Sequence, residues 1–167
     1  SHAFGCSYAG EMVGSFGECE VFSFHATKVL NTFEGGAVAT NDDDLAENIR
    51  LMRNFGFAGI DNVVSIGSNG KMNEVSAAMG LTNLNSIDFF VDANRNCYEQ
   101  YVDCLSSLTG IKPIAYSPRD RHNYHYMVVE VEETPLVDRD YIVDVLHAEN
   151  VLARRYFSPG CHEMEPY

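Results

Sequence analysis

The sequence predicts an α/β fold, and two features carry that prediction. Short apolar runs rich in β-branched and aromatic residues, at 21–24, 36–40, 111–115, 124–131 and 151–157, have the length and composition of strands. Between them lie segments whose apolar residues recur every three to four positions, the spacing of one helix face. Beyond residue 110, strands alternate with a single helix of crossover length, which reads as a compact α/β unit and a second domain.

Residues 1–20 are loop-rich, with glycines at 5, 10, 14 and 17. The strands at 21–24 and 36–40 then flank a polar cluster holding one lysine, Lys28, and the Gly35-Gly36 pair allows the tight return. Lys28 therefore lies at a reversal between two strands, where rigid elements can hold an amine over a pocket; such positions suit a lysine that forms a Schiff base. By itself a lone lysine here is more often a solvated loop residue, so its neighbours have to decide.

Asn41-Asp42-Asp43-Asp44 is a strong helix start, because short polar side chains cap free N–H groups and carboxylates suit the positive end of the helix dipole. Leu45, Ile49 and Met52 form the expected buried stripe, with Arg50 and Arg53 in the last turn before Gly56. Residues 57–70, with Gly59, Gly67 and Gly70, have no helical period and read as a long functional connection. A phosphate-loop reading of Gly67-Ser68-Asn69-Gly70-Lys71 fails, since a Walker A motif needs glycine at Ser65 and a hydroxyl at Met72.

A helix is expected over 72–84, rich in the small residues Ser76, Ala77, Ala78 and Gly80 that permit close approach to another backbone. Ser86 is placed to cap a longer helix whose stripe runs from Ile87 through Phe90, Val91, Asn94, Tyr98 and Tyr101 to Leu108, ended by Gly110. Then follow a strand at 111–115, a turn at 117–123, a strand at 124–131, a helix from Asp138 through Ile142, Val145 and Leu146, and a strand at 151–157. Residues 158–167 show no regular pattern.

The 167 residues, 46% hydrophobic, suffice for one ordinary domain or two small pieces. No apolar run reaches membrane-span length and no signal peptide opens the chain, so a soluble, cytoplasmic protein is expected. The formal charge of −13 argues against nucleic acid. A small anion could still be met locally by Lys71 or by Arg154-Arg155, although those arginines read equally as a solvated or ion-paired surface pair. Five cysteines, with no Cys-x-x-Cys, signal neither a disulfide framework nor zinc and are expected as reduced core residues. His122-x-x-His125 has the look of a metal pair, but the stretch from Tyr124 to Val131 reads as a strand, where residues three apart face opposite sides, so no metal site is expected.

The neighbours of Lys28 are Ser23-Phe24 five and four residues before it, the Glu34-Gly35-Gly36-Ala37 return, and His2-Ala3-Phe4-Gly5 ahead. Further on come Asn54-Phe55-Gly56-Phe57, Gly67-Ser68-Asn69-Gly70-Lys71-Met72-Asn73-Glu74, Ala77-Ala78-Met79-Gly80-Leu81 and Arg154-Arg155-Tyr156-Phe157. In this order they resemble the DegT/DnrJ/EryC1/StrS family of sugar aminotransferases, which use pyridoxal 5'-phosphate. The resemblance covers nearly the whole chain. It implies the aspartate-aminotransferase-like fold type I, with residues 1–56 the C-terminal part of the large cofactor domain, 57–85 a connection and dimer-contact segment, and 86–167 an incomplete small α/β domain.

The resemblance also assigns roles. Lys28 becomes the cofactor lysine, Ser23 a phosphate donor, His2 a contact to the cofactor ring or its hydroxyl, and Asn69 a phosphate contact reaching from the neighbouring subunit of a homodimer, with Lys71 a weaker candidate nearby. Without the resemblance, Ser23 and His2 read as locally satisfied structural residues and Asn69 as a turn asparagine. The acid that would face the ring nitrogen falls two residues ahead of Ser1, so the chain is expected to be a fragment of a protein more than twice as long. His25-Ala26-Thr27 resembles the branch acting on nucleotide-linked keto-deoxyhexoses. The implied reaction is amine transfer, with glutamate as donor, to a keto group of a nucleotide-linked sugar such as dTDP-4-keto-6-deoxyglucose. The competing expectation is a truncated remnant or dimerising module that binds no cofactor.

Overall fold

The computed structural model describes residues 2–167, which divide into two compact units. One runs to Cys97 and adds Tyr116–His125, the other is Tyr98–Ala115 with Tyr126–Tyr167.

The first unit opens with a two-residue ladder, β1 (Ser7–Tyr8) against β2 (Glu11–Met12). Next comes the hairpin predicted around Lys28: β3 (Glu20–Ser23) pairs antiparallel with β4 (Gly36–Ala39), Phe22 opposite Ala37 and Ser23 opposite Gly36. Glycine is required at 36, because a Cβ there would lie 2.7 Å from the Phe22 carbonyl oxygen. Helix α1 (Asp43–Met52) starts where the sequence places it, the Asp42 carboxylate accepting from the Leu45 amide at 2.9 Å. Its stripe is less covered than expected: Leu45 and Ile49 are half-buried and Met52 is 55% exposed.

A small ladder follows, β5 (Phe57–Gly59) with β6 (Asn62–Val63), then α2 (Glu74–Asn85), capped by Asn73 through the Ser76 amide. Helix α3 (Ile87–Leu105) follows after a single residue. Ser86 does not cap it as expected; it closes α2, its N–H turned back to the carbonyls of Asn83 and Leu84. The apolar centre of this unit is Phe22, Leu30 and Val91, and the Phe4 ring meets both Phe22 and Phe24 edge-on at 5.6 and 5.7 Å.

In the second unit β7 (Ile111–Pro113) pairs antiparallel with β8 (Val129–Val131), and α4 (Arg139–Ala148) is capped by Asp138 as the sequence indicates. Val143 is its buried residue. Four expectations need correction. Residues 124–128 are not strand, because Tyr124 takes a left-handed φ of 49° and breaks the extended run. Residues 151–157 are not strand either; the segment is held by the Arg155–Asp140 ion pair instead of a ladder. Helix α3 ends at Leu105, five residues before Gly110. The cysteines are free, but Cys19, Cys97, Cys104 and Cys161 are exposed and only Cys6 is half-buried, so they are not core. No helix among the described residues is long and apolar enough to cross a membrane.

Candidate active site

Residues 24–35 leave β3 and return to β4 as a compact loop. The Phe24 amide donates to the Gly35 carbonyl and the Thr32 amide to the Phe24 carbonyl, which closes its base. The Lys28 amide donates to the His25 carbonyl at 2.9 Å, a tight turn that fixes the stem of the lysine. Helix α2 braces the far side. Gly80 faces Thr32 so closely that a Cβ would come within 2.7 Å of Cγ2, and the Asn83 amide donates to the Asn31 carbonyl at 2.9 Å. Thr32, Ser76 and Asn83 are all buried, and at Gly80 the helix meets the Thr32 side chain closely.

Lys28 is half-buried, and its Nζ lies 2.5 Å from Nε2 of His2, 26 residues earlier. The structure thus joins two of the residues singled out by sequence. Burial and the Lys28 charge, in that order, hold the His2 imidazole below its ordinary value. Where Lys28 donates in this bond, Nε2 of His2 is the acceptor. Behind His2 stands His125, ring centroids 5.9 Å apart and planes 22° from parallel; burial, then His2, then Lys28 lower its pKa also. In both imidazoles burial and the neighbouring positive charge therefore work against protonation.

Ser23 ends β3 on the same hairpin, and its Oγ accepts a long 3.4 Å bond from the His25 amide, leaving its own hydrogen for another acceptor. Asn69 and Lys71 belong to a separate group packed on the end of α1. Asn69 is exposed, bridges to Asn54 through its backbone and accepts from the Lys71 amide at 3.5 Å. Lys71 Nζ sits 4.1 Å over the Phe55 ring and lines a cleft of about 570 Å³ with Arg50, Arg53 and Asn54. Arg155 is ion-paired: its Nε donates to Asp140 at 2.8 Å, and Arg139 and then Arg155 hold that carboxyl below its usual range.

Sequence reasoning missed His125 and Asn123. The sequence argues against a His122–His125 pair through the strand expected from Tyr124, yet neither residue lies in a strand: His122 bonds the Ser117 carbonyl while His125 stacks on His2. In the sequence Asn123 reads as an ordinary turn residue, and only its burial in the fold sets it apart.

The whole chain, residues 1–167, matches the DegT/DnrJ/EryC1/StrS aminotransferase family. The dTDP-4-amino-4,6-dideoxy-D-glucose transaminase of Shigella dysenteriae is 39% identical over 167 residues, covering 100% of this chain and 46% of the relative. The UDP-4-amino-4,6-dideoxy-N-acetyl-beta-L-altrosamine transaminase of Helicobacter pylori is 32% identical over 163 residues, covering 95% of this chain and 44% of its own length. A crystal structure of DesI in the presence of its TDP-sugar product superposes with a TM-score of 0.91 at 47% identity, over 100% of this chain and 43% of that one. The Helicobacter pylori aminotransferase PseC does so with a TM-score of 0.88 at 32% identity, over 95% and 44%. The chain spans less than half the length of these relatives, and its α/β fold is theirs, as the resemblance implied. The chain belongs to the DegT/DnrJ/EryC1/StrS aminotransferase family.

Proposed function

We propose that this chain carries the lysine-bearing part of a sugar-nucleotide aminotransferase that uses pyridoxal 5'-phosphate. The observation that carries the reading is the half-buried Lys28 amine held against the His2 imidazole at a strand reversal. The donor set fits the cofactor: an amine for its aldehyde, an imidazole for its ring, and a hydroxyl with a hydrogen to donate to its phosphate. When bound, pyridoxal phosphate supplies a carbonyl for the amine and an electron sink for the carbon that loses its proton.

Lys28 Nζ is placed to take a proton from the α-carbon of the amino donor and return it on the other side of the transfer. His2 Nε2 accepts from Lys28 and fixes the direction of its amine. Ser23 Oγ holds the cofactor phosphate, and Asn69, with Lys71 beside it, serves the phosphate of a neighbouring subunit, so the working form is a homodimer with shared sites. The acceptor is a nucleotide-linked keto-deoxy sugar, supported by the printed activities of the Shigella and Helicobacter relatives. Glutamate is the proposed donor and the cytoplasm the proposed compartment.

The test uses the complete protein incubated with pyridoxal phosphate and borohydride, followed by peptide mapping. The cofactor is expected on the peptide containing Lys28, and Lys28→Ala is expected to lose both label and turnover. Label on a different lysine, a protein that stays colourless, or full turnover in the variant would overturn the assignment.

A further inference from the structure

Asn123 is 4% exposed and makes no direct contact with Lys28 in the bonds described above, yet its hydrogen bonds converge on the Lys28 partner. Its Nδ2 carries two hydrogens, and both are used: one goes to the His2 carbonyl at 2.8 Å, the other to the Phe4 carbonyl at 3.0 Å. Its Oδ1 accepts from the His125 amide at 3.1 Å. Its own carbonyl accepts from Asn94 Nδ2, on α3, at 3.1 Å. One buried residue therefore grips the backbone at 2, at 4 and at 125, and is itself anchored to a long helix.

We infer that Asn123 is a positioning residue that sets the two imidazoles, His2 and His125, against each other and thereby aims His2 at Lys28 Nζ. The inference rests on the aminotransferase reading only for its consequence in turnover; the geometry stands without it. The His2 ring stacks on that of His125, and Asn123 fixes the backbone that carries each ring. A buried side chain with all its donors committed to carbonyls is specific for an amide. Aspartate has the same shape and still accepts from the His125 amide, but it turns one oxygen toward two carbonyl oxygens. The same two chain segments are also joined further along, where the Arg121 amide donates to Ser7 Oγ at 2.7 Å and the Ser7 amide to the Arg121 carbonyl at 2.9 Å. Loss of the Asn123 amide therefore disturbs His2 more than it disturbs the junction.

The experiment compares Asn123→Asp, Asn123→Ala and the control Ser7→Ala in the complete protein. Histidine ring ¹⁵N resonances are followed with pH before cofactor is added, and kcat and KM are measured after. In both Asn123 variants the His2 titration is expected to move up toward that of a free histidine, and kcat to fall at least tenfold, with KM for the sugar changed less than threefold. Ser7→Ala is expected to leave both readings within twofold of the parent. If Asn123→Asp does not fold, Asn123→Ala, which removes the donors without adding charge, gives the same readings. An unmoved His2 titration and an unmoved kcat in a folded Asn123→Ala protein would overturn the inference, as would equal effects from Ser7→Ala. The titration does not depend on transamination, so a shifted His2 in a protein with no aminotransferase activity would retain the clamp and refute the activity.

Discussion

The side-chain amide of Asn83, on α2, donates to the backbone carbonyl of Asn31 at 2.9 Å, three residues beyond Lys28. Asn83 is 7% exposed, so the bond is made away from water, and it links the helix to the loop that aims the lysine. Asn83→Leu is similar in volume but leaves the Asn31 carbonyl without that donor. Such a loss costs about 1–3 kcal/mol. A chemical denaturation midpoint that did not move would show that water replaces the amide at no cost.

Gly80 and Thr32 make the adjacent contact. Gly80→Ala forces a methyl to within 2.7 Å of Thr32 Cγ2 in a region where both backbones are braced. Overpacking of this kind costs about 1–3 kcal/mol. The diagnostic is the pair: Thr32→Ser removes Cγ2 while keeping the hydroxyl that donates to the Glu34 carbonyl, and it is expected to restore most of the stability that Gly80→Ala loses. Simple additivity of the two changes in thermal melts would contradict the contact.

The histidine pair makes a prediction about acid. Both His2 and His125 have folded-state pKa values below the ordinary one, because burial and nearby positive charge disfavour their protonation. The unfolded chain therefore binds more protons than the folded one across the window between the lowered and the ordinary value. Stability is complete above the unfolded value and is lost as pH falls through the folded values. The melting temperature is expected to drop from about pH 7 to about pH 5, ahead of carboxylate titration, and His125→Gln is expected to flatten that slope. A slope identical in the variant would remove His125 from the account.

Much of the hairpin was legible because each of its signals is local. Apolar runs on either side of one lysine define β3 and β4, Asp42 and Asp138 announce their helices, and Gly35-Gly36 marks the return. The His2–Lys28 pair was not legible from spacing, since 26 residues of loop and strand separate its members and only the resemblance placed them together. The errors have physical causes of the same long-range kind. Residues 151–157 have strand composition but find an ion pair to α4 in place of a ladder, and the run at 124–128 is broken at Tyr124, just after the buried Asn123. Composition reports what a segment tolerates; the partner decides what it becomes.

Ser23 provides the most direct test of how the hairpin meets an anion. It stands at the end of β3 opposite Gly36, a position fixed by the ladder, so its Cβ direction is set by backbone pairing and not by its own side chain. The only bond described for its Oγ is the long one accepted from the His25 amide, which contributes little to the fold at 3.4 Å. Ser23→Ala should therefore leave the melting temperature of the cofactor-free protein nearly unchanged. In contrast, a hydrogen bond to a charged group contributes about 1.5–3 kcal/mol, so pyridoxal phosphate affinity is expected to fall by roughly ten- to a hundredfold. Absorbance titration of the complete protein measures this directly. Equal affinity in the variant would mean that the phosphate is held elsewhere, whereas a large drop in cofactor-free stability would show that Ser23 serves the turn and not the ligand.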